Sequence, residues 1–163
     1  GPAGLKSAAE KYGCTVFGII FLYSYPQKGS HMIKFHEVKD GDLVQVDYEG
    51  QRFEGEVTEL DHEDKLVRVQ NGEQEFWYAP GDLYPIPLDD EQLQKLKFTR
   101  EQNGDKSIKY LRGPFRILLP EKDHFGDFEI WYREDRRHIN HPIGVHELQN
   151  YYYQMTKVGL NRD

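Results

Sequence analysis

The sequence predicts an α+β fold, mostly β: an SH3-like small barrel followed by a short helix, an antiparallel sheet and a C-terminal amphipathic helix. Three observations carry that expectation. Apolar and polar residues alternate from Leu43 to Tyr84 between closely spaced turn residues, as in strands with one buried face. Three further strand-like runs lie between Ser107 and Arg133, and apolar residues recur at helical spacing from Val145 to Met155.

The first 31 residues stand apart. Gly1-Pro2 matches the remnant of a common protease cut, and Gly29-Ser30-His31-Met32 matches a vector scar ahead of a cloned start codon. The natural sequence is therefore expected to begin at Met32, with residues 1–31 a vector-derived or fused segment. Leu5 to Tyr12 favours a helix that Gly13 ends, and Thr15 to Tyr25 is rich in β-branched and aromatic residues. Segment 14–25 is expected to pair with a sheet edge of this chain or of a neighbour. A tethered ligand and vector read-through both fit the residues.

Residues 32–88 are expected to form the five-strand module. Val44, Val46 and Tyr48 alternate with Gln45, Asp47 and Glu49, and after Gly50 the pattern resumes with Phe53 and Val57. Gly55 interrupts this second strand and marks a bulge or sharp bend. Leu66 to Gln70 leads through Asn71-Gly72, the expected centre of a type I′ turn, into Gln74 to Tyr78. Ala79-Pro80-Gly81-Asp82 then turns the chain into a short run, Leu83-Tyr84, completing an SH3-like count of strands.

Residues 89–163 are expected to form a small α+β unit packed on the module. Asp89 and Gln92 make a capping pair, and Leu88 is placed to staple to Leu93 at the start of a helix of two to three turns. Ser107 to Arg112, Phe115 to Leu119 and Asp127 to Arg133 read as one antiparallel sheet, with Glu101 to Asp105 as a polar connection. Val145, Leu148, Tyr152 and Met155 form one stripe of a final helix that Gly159 closes and that covers a face of the sheet. Tyr151, Tyr152 and Tyr153 must point in three directions, so at least one phenol faces solvent or a contact.

Composition narrows the function. Hydrophobic residues make up 37%, charged residues 30% and aromatics 13%, which is globular, with aromatic rings supplying much of the burial. The single cysteine, Cys14, allows no intramolecular disulfide and points to a reducing, cytoplasmic setting. The longest apolar run, Val16 to Tyr23, is far short of a membrane span. Residues 1–31 carry three lysines against Glu10, a net of +2, so the overall −7 leaves −9 for residues 32–163. That balance disfavours duplex DNA, whose non-specific binding comes from cationic neutralisation of phosphates.

The terminal Val145-His146-Glu147-Leu148-Gln149-Asn150-Tyr151-Tyr152 is distinctive. So are the Gly41-Asp42-Leu43-Val44 strand opening and the Tyr84-Pro85-Ile86-Pro87-Leu88 stretch, which runs into an acidic-capped helix with Leu93, Leu96 and Phe98. In this order the chain resembles small uncharacterised proteins of gut Bacteroidetes genomes, their phages and mobile elements, over most of residues 41–160. The resemblance implies architecture and a phage or mobile-element origin. It brings no activity, and it has no counterpart to residues 1–31.

No catalytic apparatus is legible. Beyond Met32 there is no Cys and one Ser, Ser107, in a strand without a neighbouring base, and the glycines are scattered turn residues, not a phosphate loop. No cofactor is implied. The expected function is a non-enzymatic interaction module binding a protein or peptide partner through Phe76, Trp77, Tyr78 and Tyr84, of which alternation sends Trp77 to the face opposite its neighbours. The alternative is a single-stranded nucleic-acid binder using the basic-aromatic cluster Trp131, Tyr132, Arg133, Arg136 and Arg137. A weak metal candidate is His138, His141 and His146, whose spacing matches no established site.

Overall fold

The computed structural model describes residues 33–72 and 74–163; Cys14 and the expected strand at 14–25 lie outside them. The chain divides into two compact units, the first ending at Ile86 and the second spanning Pro87–Asp163. It is an α+β protein, mostly β: each unit holds a five-stranded antiparallel sheet, and the second adds two α-helices among the described residues. No described helix is long and apolar enough to cross a membrane.

In the first unit β1 (Leu43–Tyr48), β2 (Gln51–Asp61), β3 (Leu66–Asn71), β4 (Gln74–Tyr78) and β5 (Leu83–Tyr84) lie in the order β4-β3-β2-β1-β5. The inward positions of the alternation, Val44, Val46, Val57, Val67, Val69, Tyr78 and Leu83, form one core with Ile33 and Val38 from the preceding segment. Each such side chain contributes about 1.5–3 kcal/mol of burial. In the first hairpin Tyr48 pairs with Gln51, and Glu49 and Gly50 between them take φ of 51° and 81°, as a type I′ turn requires. The second hairpin corrects the expected centre. Asn71 pairs with Gln74 inside the ladder, so the turn begins at Gly72, whose φ is 71°.

Gly55 is a point of close approach. A Cβ there would lie 2.6 Å from Val69 Cγ1 and 2.8 Å from Gln70 O, so β2 presses on β3 at a distance that only glycine permits. A bulge between Val57 and Glu59 adds to the bend. The sheet curls strongly as a result. The Tyr48 ring on β1 stacks on Phe76 of β4 with centroids 5.6 Å apart, whereas a flat sheet would hold strands three places apart at about 14 Å. The expected closed barrel is not met in the hydrogen bonding: among the described residues β5 pairs with β1 and no pairing joins it to β4.

In the second unit α1 (Asp90–Lys95) is followed by a meander of β6 (Thr99–Gln102), β7 (Ile108–Arg112), β8 (Phe115–Leu119), β9 (Phe128–Tyr132) and β10 (Asp135–Ile139), and then by α2 (Val145–Thr156). Asp89 caps α1 by accepting from the Gln92 N–H at 2.8 Å. This helix has six residues, shorter than expected, because Leu96 already leaves helical geometry and Lys97 takes φ of 67°. Two strands were not expected. β6 is exposed at every position and β10 is polar at four of five, so neither carries the alternation that marks a strand.

Ile108, Tyr110, Phe115, Ile117, Leu119, Phe128 and Ile130 share one buried face. Both helices cover it: Tyr152 of α2 packs on Phe115 at 4.7 Å between centroids, and Tyr110 donates from its hydroxyl to Asp90 of α1 at 2.7 Å. Tyr153 is the phenol left outside, at 46% exposure. The C-terminus of α2 lies at Lys157, which takes φ of 64° and donates its N–H to Tyr153 O; Gly159 comes two residues too late for the expected role. The tail beyond is tied down. Gln149 Nε2 donates to Leu160 O at 2.9 Å, Arg112 to Asn161 O at 3.0 Å and Arg162 to Gln92 Oε1 at 2.8 Å.

Replacing Gly55 by Ala is expected to lower unfolding free energy by about 1–3 kcal/mol, the usual cost of overpacking. Gly104→Ala is the control in denaturant titration, because nothing lies within 4 Å of its added Cβ. A second expectation concerns Tyr110, whose pKa burial pushes up, reinforced by the hydrogen bond to Asp90 and its charge. Burial alone would raise Asp90, but the hydrogen bonds from Tyr110 and Arg100 and the Arg100 charge hold it low. The phenol is protonated in the folded chain after the unfolded chain has ionised, so stability falls as pH rises above about 10, the unperturbed tyrosine value. Tyr110→Phe is expected to cost about 1.5 kcal/mol near neutral pH. Its stability difference from the parent should shrink in alkali, measured by denaturant titration across pH.

Candidate functional site

The curl of the first sheet leaves an open groove of about 600 Å³ between the tips of the β1–β2 and β3–β4 hairpins. The first hairpin contributes Tyr48, Glu49, Gln51, Phe53 and Glu54, and the second contributes Asn71, Gly72 and Gln74. Tyr48, Phe53 and Phe76 all occupy inward positions of the alternation, in register with the core valines. They nevertheless remain partly open: Phe53 is 37% exposed and Phe76 36%. The aromatic lining thus continues the core outward to solvent. Asn71 Oδ1 is buried here without a hydrogen-bond partner.

The four residues expected to bind a partner do not gather in one place. Phe76 backs the groove by stacking on Tyr48 and meeting Tyr78 edge-on at 6.5 Å. Tyr78 is core, at 1% exposure, and its hydroxyl is buried with no partner; burial, then the neighbouring Tyr48 and Asp82, raise its pKa. Trp77 faces the opposite side, as alternation requires, beside Arg68, which also pairs with Glu59 and Glu75. Tyr84 lies on that same side under Arg52, whose guanidinium carbon is 3.5 Å from the ring centroid and whose Nε donates to Asp47 at 2.7 Å. Burial and the Asp47 charge raise the Tyr84 pKa. Tyr48 and Phe53 stand outside the Phe76-Trp77-Tyr78 run, and only their inward positions near the end of the first hairpin point to them.

The basic-aromatic cluster of the second unit also separates. Cross-strand register sets Trp131 directly beside Arg136 on β10 and Arg116 on β8, with guanidinium carbons 3.9 and 5.6 Å from its ring centroid. Trp131 Nε1 donates to Glu129 at 2.7 Å. Arg137 belongs to the helix-covered face, where it meets Asp135, Gln154 and the Tyr151 ring. Tyr132 shares that face and Arg133 occupies the turn, with φ of 56°. Arg116 was not foreseen, since it becomes Trp131's neighbour only through strand pairing.

The three histidines are likewise apart. His138 pairs with Asp127, His141 with Asn140, and His146 is buried on α2. Among the described residues no group of three metal-ligating side chains is close enough to hold an ion. The Ser107 hydroxyl is held in a turn, donating to Asp105 and accepting from Asn103. No family model matches the chain, and neither the curated proteins nor the solved structures compared with it include a match.

Tyr78 offers a test of the geometry beneath the groove. Its hydroxyl makes no hydrogen bond that would be lost, so Tyr78→Phe is expected to leave stability unchanged or raise it by about 1 kcal/mol. A drop of that size in thermal or denaturant unfolding would show that the hydroxyl has a partner.

Proposed function

We propose that the protein is a non-enzymatic interaction module whose partner is a protein presenting an extended peptide to the groove between the first unit's hairpin tips. The observation that carries this is the exposure of Phe53 and Phe76 at inward positions of a sheet otherwise lined by fully buried valines. Half-exposed aromatic rings beside a groove are the usual anchors of peptide recognition. In its finer form this reading takes the sheet as an SH3-like barrel. Three features support that: the strand order β4-β3-β2-β1-β5, the 3-10 turn Pro80–Asp82 ahead of β5, and the curl that stacks Tyr48 on Phe76.

A cytoplasmic setting and a phage or mobile-element origin complete the proposal, the first supported by residues 32–163 holding no cysteine for a disulfide and the second by the terminal Val145 to Tyr152 motif. Single-stranded nucleic acid is the weaker partner class. It would meet only Trp131 with Arg136 and Arg116 on one face, in a chain whose residues 32–163 carry a net charge of −9.

Panning a random peptide library against the full chain should enrich a consensus whose affinity falls by about tenfold or more in Phe53→Ala, the loss typical of an interface anchor. Near-UV circular dichroism would verify that the variant keeps its fold. Failure to enrich any consensus, or a consensus indifferent to Phe53 whose amide-shift footprint avoids the groove, overturns the proposal.

A further inference from the structure

The groove combines three chemical features. Aromatic faces come from Tyr48 and Phe53, negative charge from Glu49, and a buried acceptor without a donor from Asn71 Oδ1. Among the described lining residues none is basic. The same unit combines ring, carboxylate and guanidinium elsewhere: Arg52 lays its guanidinium 3.5 Å from the centroid of Tyr84 while donating from Nε to Asp47. Ring, carboxylate and guanidinium there form one neutralised cluster. At the groove the ring and the carboxylate are present, and the described lining holds no guanidinium.

We propose that the groove receives an arginine side chain of the partner peptide; this rests on the peptide-binding reading above and names the chemistry that the groove selects. A guanidinium is planar, so it stacks on an aromatic face, and its several N–H donors reach a carboxylate and a carbonyl oxygen together. Tyr48 or Phe53 supplies the face, Glu49 the charge and Asn71 Oδ1, once its amide turns from its buried position toward the groove, the second acceptor. Glu49 stands in the first hairpin's type I′ turn with φ of 51° and lines the groove. An apolar side chain would leave Asn71 Oδ1 without a donor, and an acidic one would add repulsion from Glu49.

The test titrates the isotopically labelled full chain with three short peptides that differ at one central position: arginine, its neutral isostere citrulline, or norleucine. The expected result is amide shifts at Phe53, Asn71 and Gly72 with the arginine peptide, and binding about tenfold tighter than with citrulline, a preference that shrinks as salt is raised. Glu49→Gln should reduce the preference by about threefold and leave the citrulline peptide unaffected, as expected for one partly exposed charge pair. If citrulline or norleucine binds at the groove as tightly as arginine, the guanidinium assignment is overturned and peptide binding stands. If none of the three shifts a groove residue while the library consensus binds elsewhere, both fail.

Discussion

The close approach of β2 to β3 at Gly55 governs the shape of the first unit. Two backbones can approach this nearly only where the side chain is a hydrogen atom, and the approach bends an eleven-residue strand around the small valines beneath it. From that bend follows the stacking of Tyr48 on Phe76, since their strands are separated by two others in the sheet. The groove follows in turn. Its two hairpins converge because the sheet turns back on itself, and they leave it open because β-branched core residues give way to larger rings at the tips.

The second unit handles the same alternation differently. Its sheet is an uninterrupted meander whose inner strands β7, β8 and β9 send Ile108, Tyr110, Phe115, Ile117, Phe128 and Ile130 toward the helices, with Trp131 and Arg116 on the other face. On the covered face the buried Tyr110 meets Asp90 of α1, and Asp90 also accepts from Arg100 at 3.1 Å. A buried phenol on a carboxylate that is itself paired leaves no uncompensated charge, which is how such a link is tolerated inside a core.

Much of this architecture was legible before the structure. The alternation from Val44 to Val57 and the five strands of the first unit emerged from a period of two, and the Asp89 cap from side-chain chemistry confined to one turn. Features requiring knowledge of pairing did not emerge. β6 and β10 are edge strands in which Ile139 alone is buried, so their backbone hydrogen bonds leave almost no hydrophobic trace. The second hairpin's turn begins one residue later than Asn-Gly implies, because Asn71 is held in the ladder by Gln74. The candidate sites depended most on register. Residues 131–137 are continuous in sequence, yet strand geometry sends Trp131 and Arg136 one way and Tyr132 and Arg137 the other. The aromatic groove arises from hairpin tips more than twenty positions apart, which no local pattern announces.

The tail at residues 160–162 has a consequence for how the second unit holds together. Through Gln92, Arg112 and Gln149 it links α1, a central strand and α2. A six-residue helix has no stability of its own in water, because nucleation outweighs so few hydrogen bonds. Bound at its middle to the last residues of the chain, α1 is coupled to elements that enter far later in sequence. Its amides therefore share the exchange protection of the sheet, and the unit opens as one cooperative block instead of fraying from its first helix.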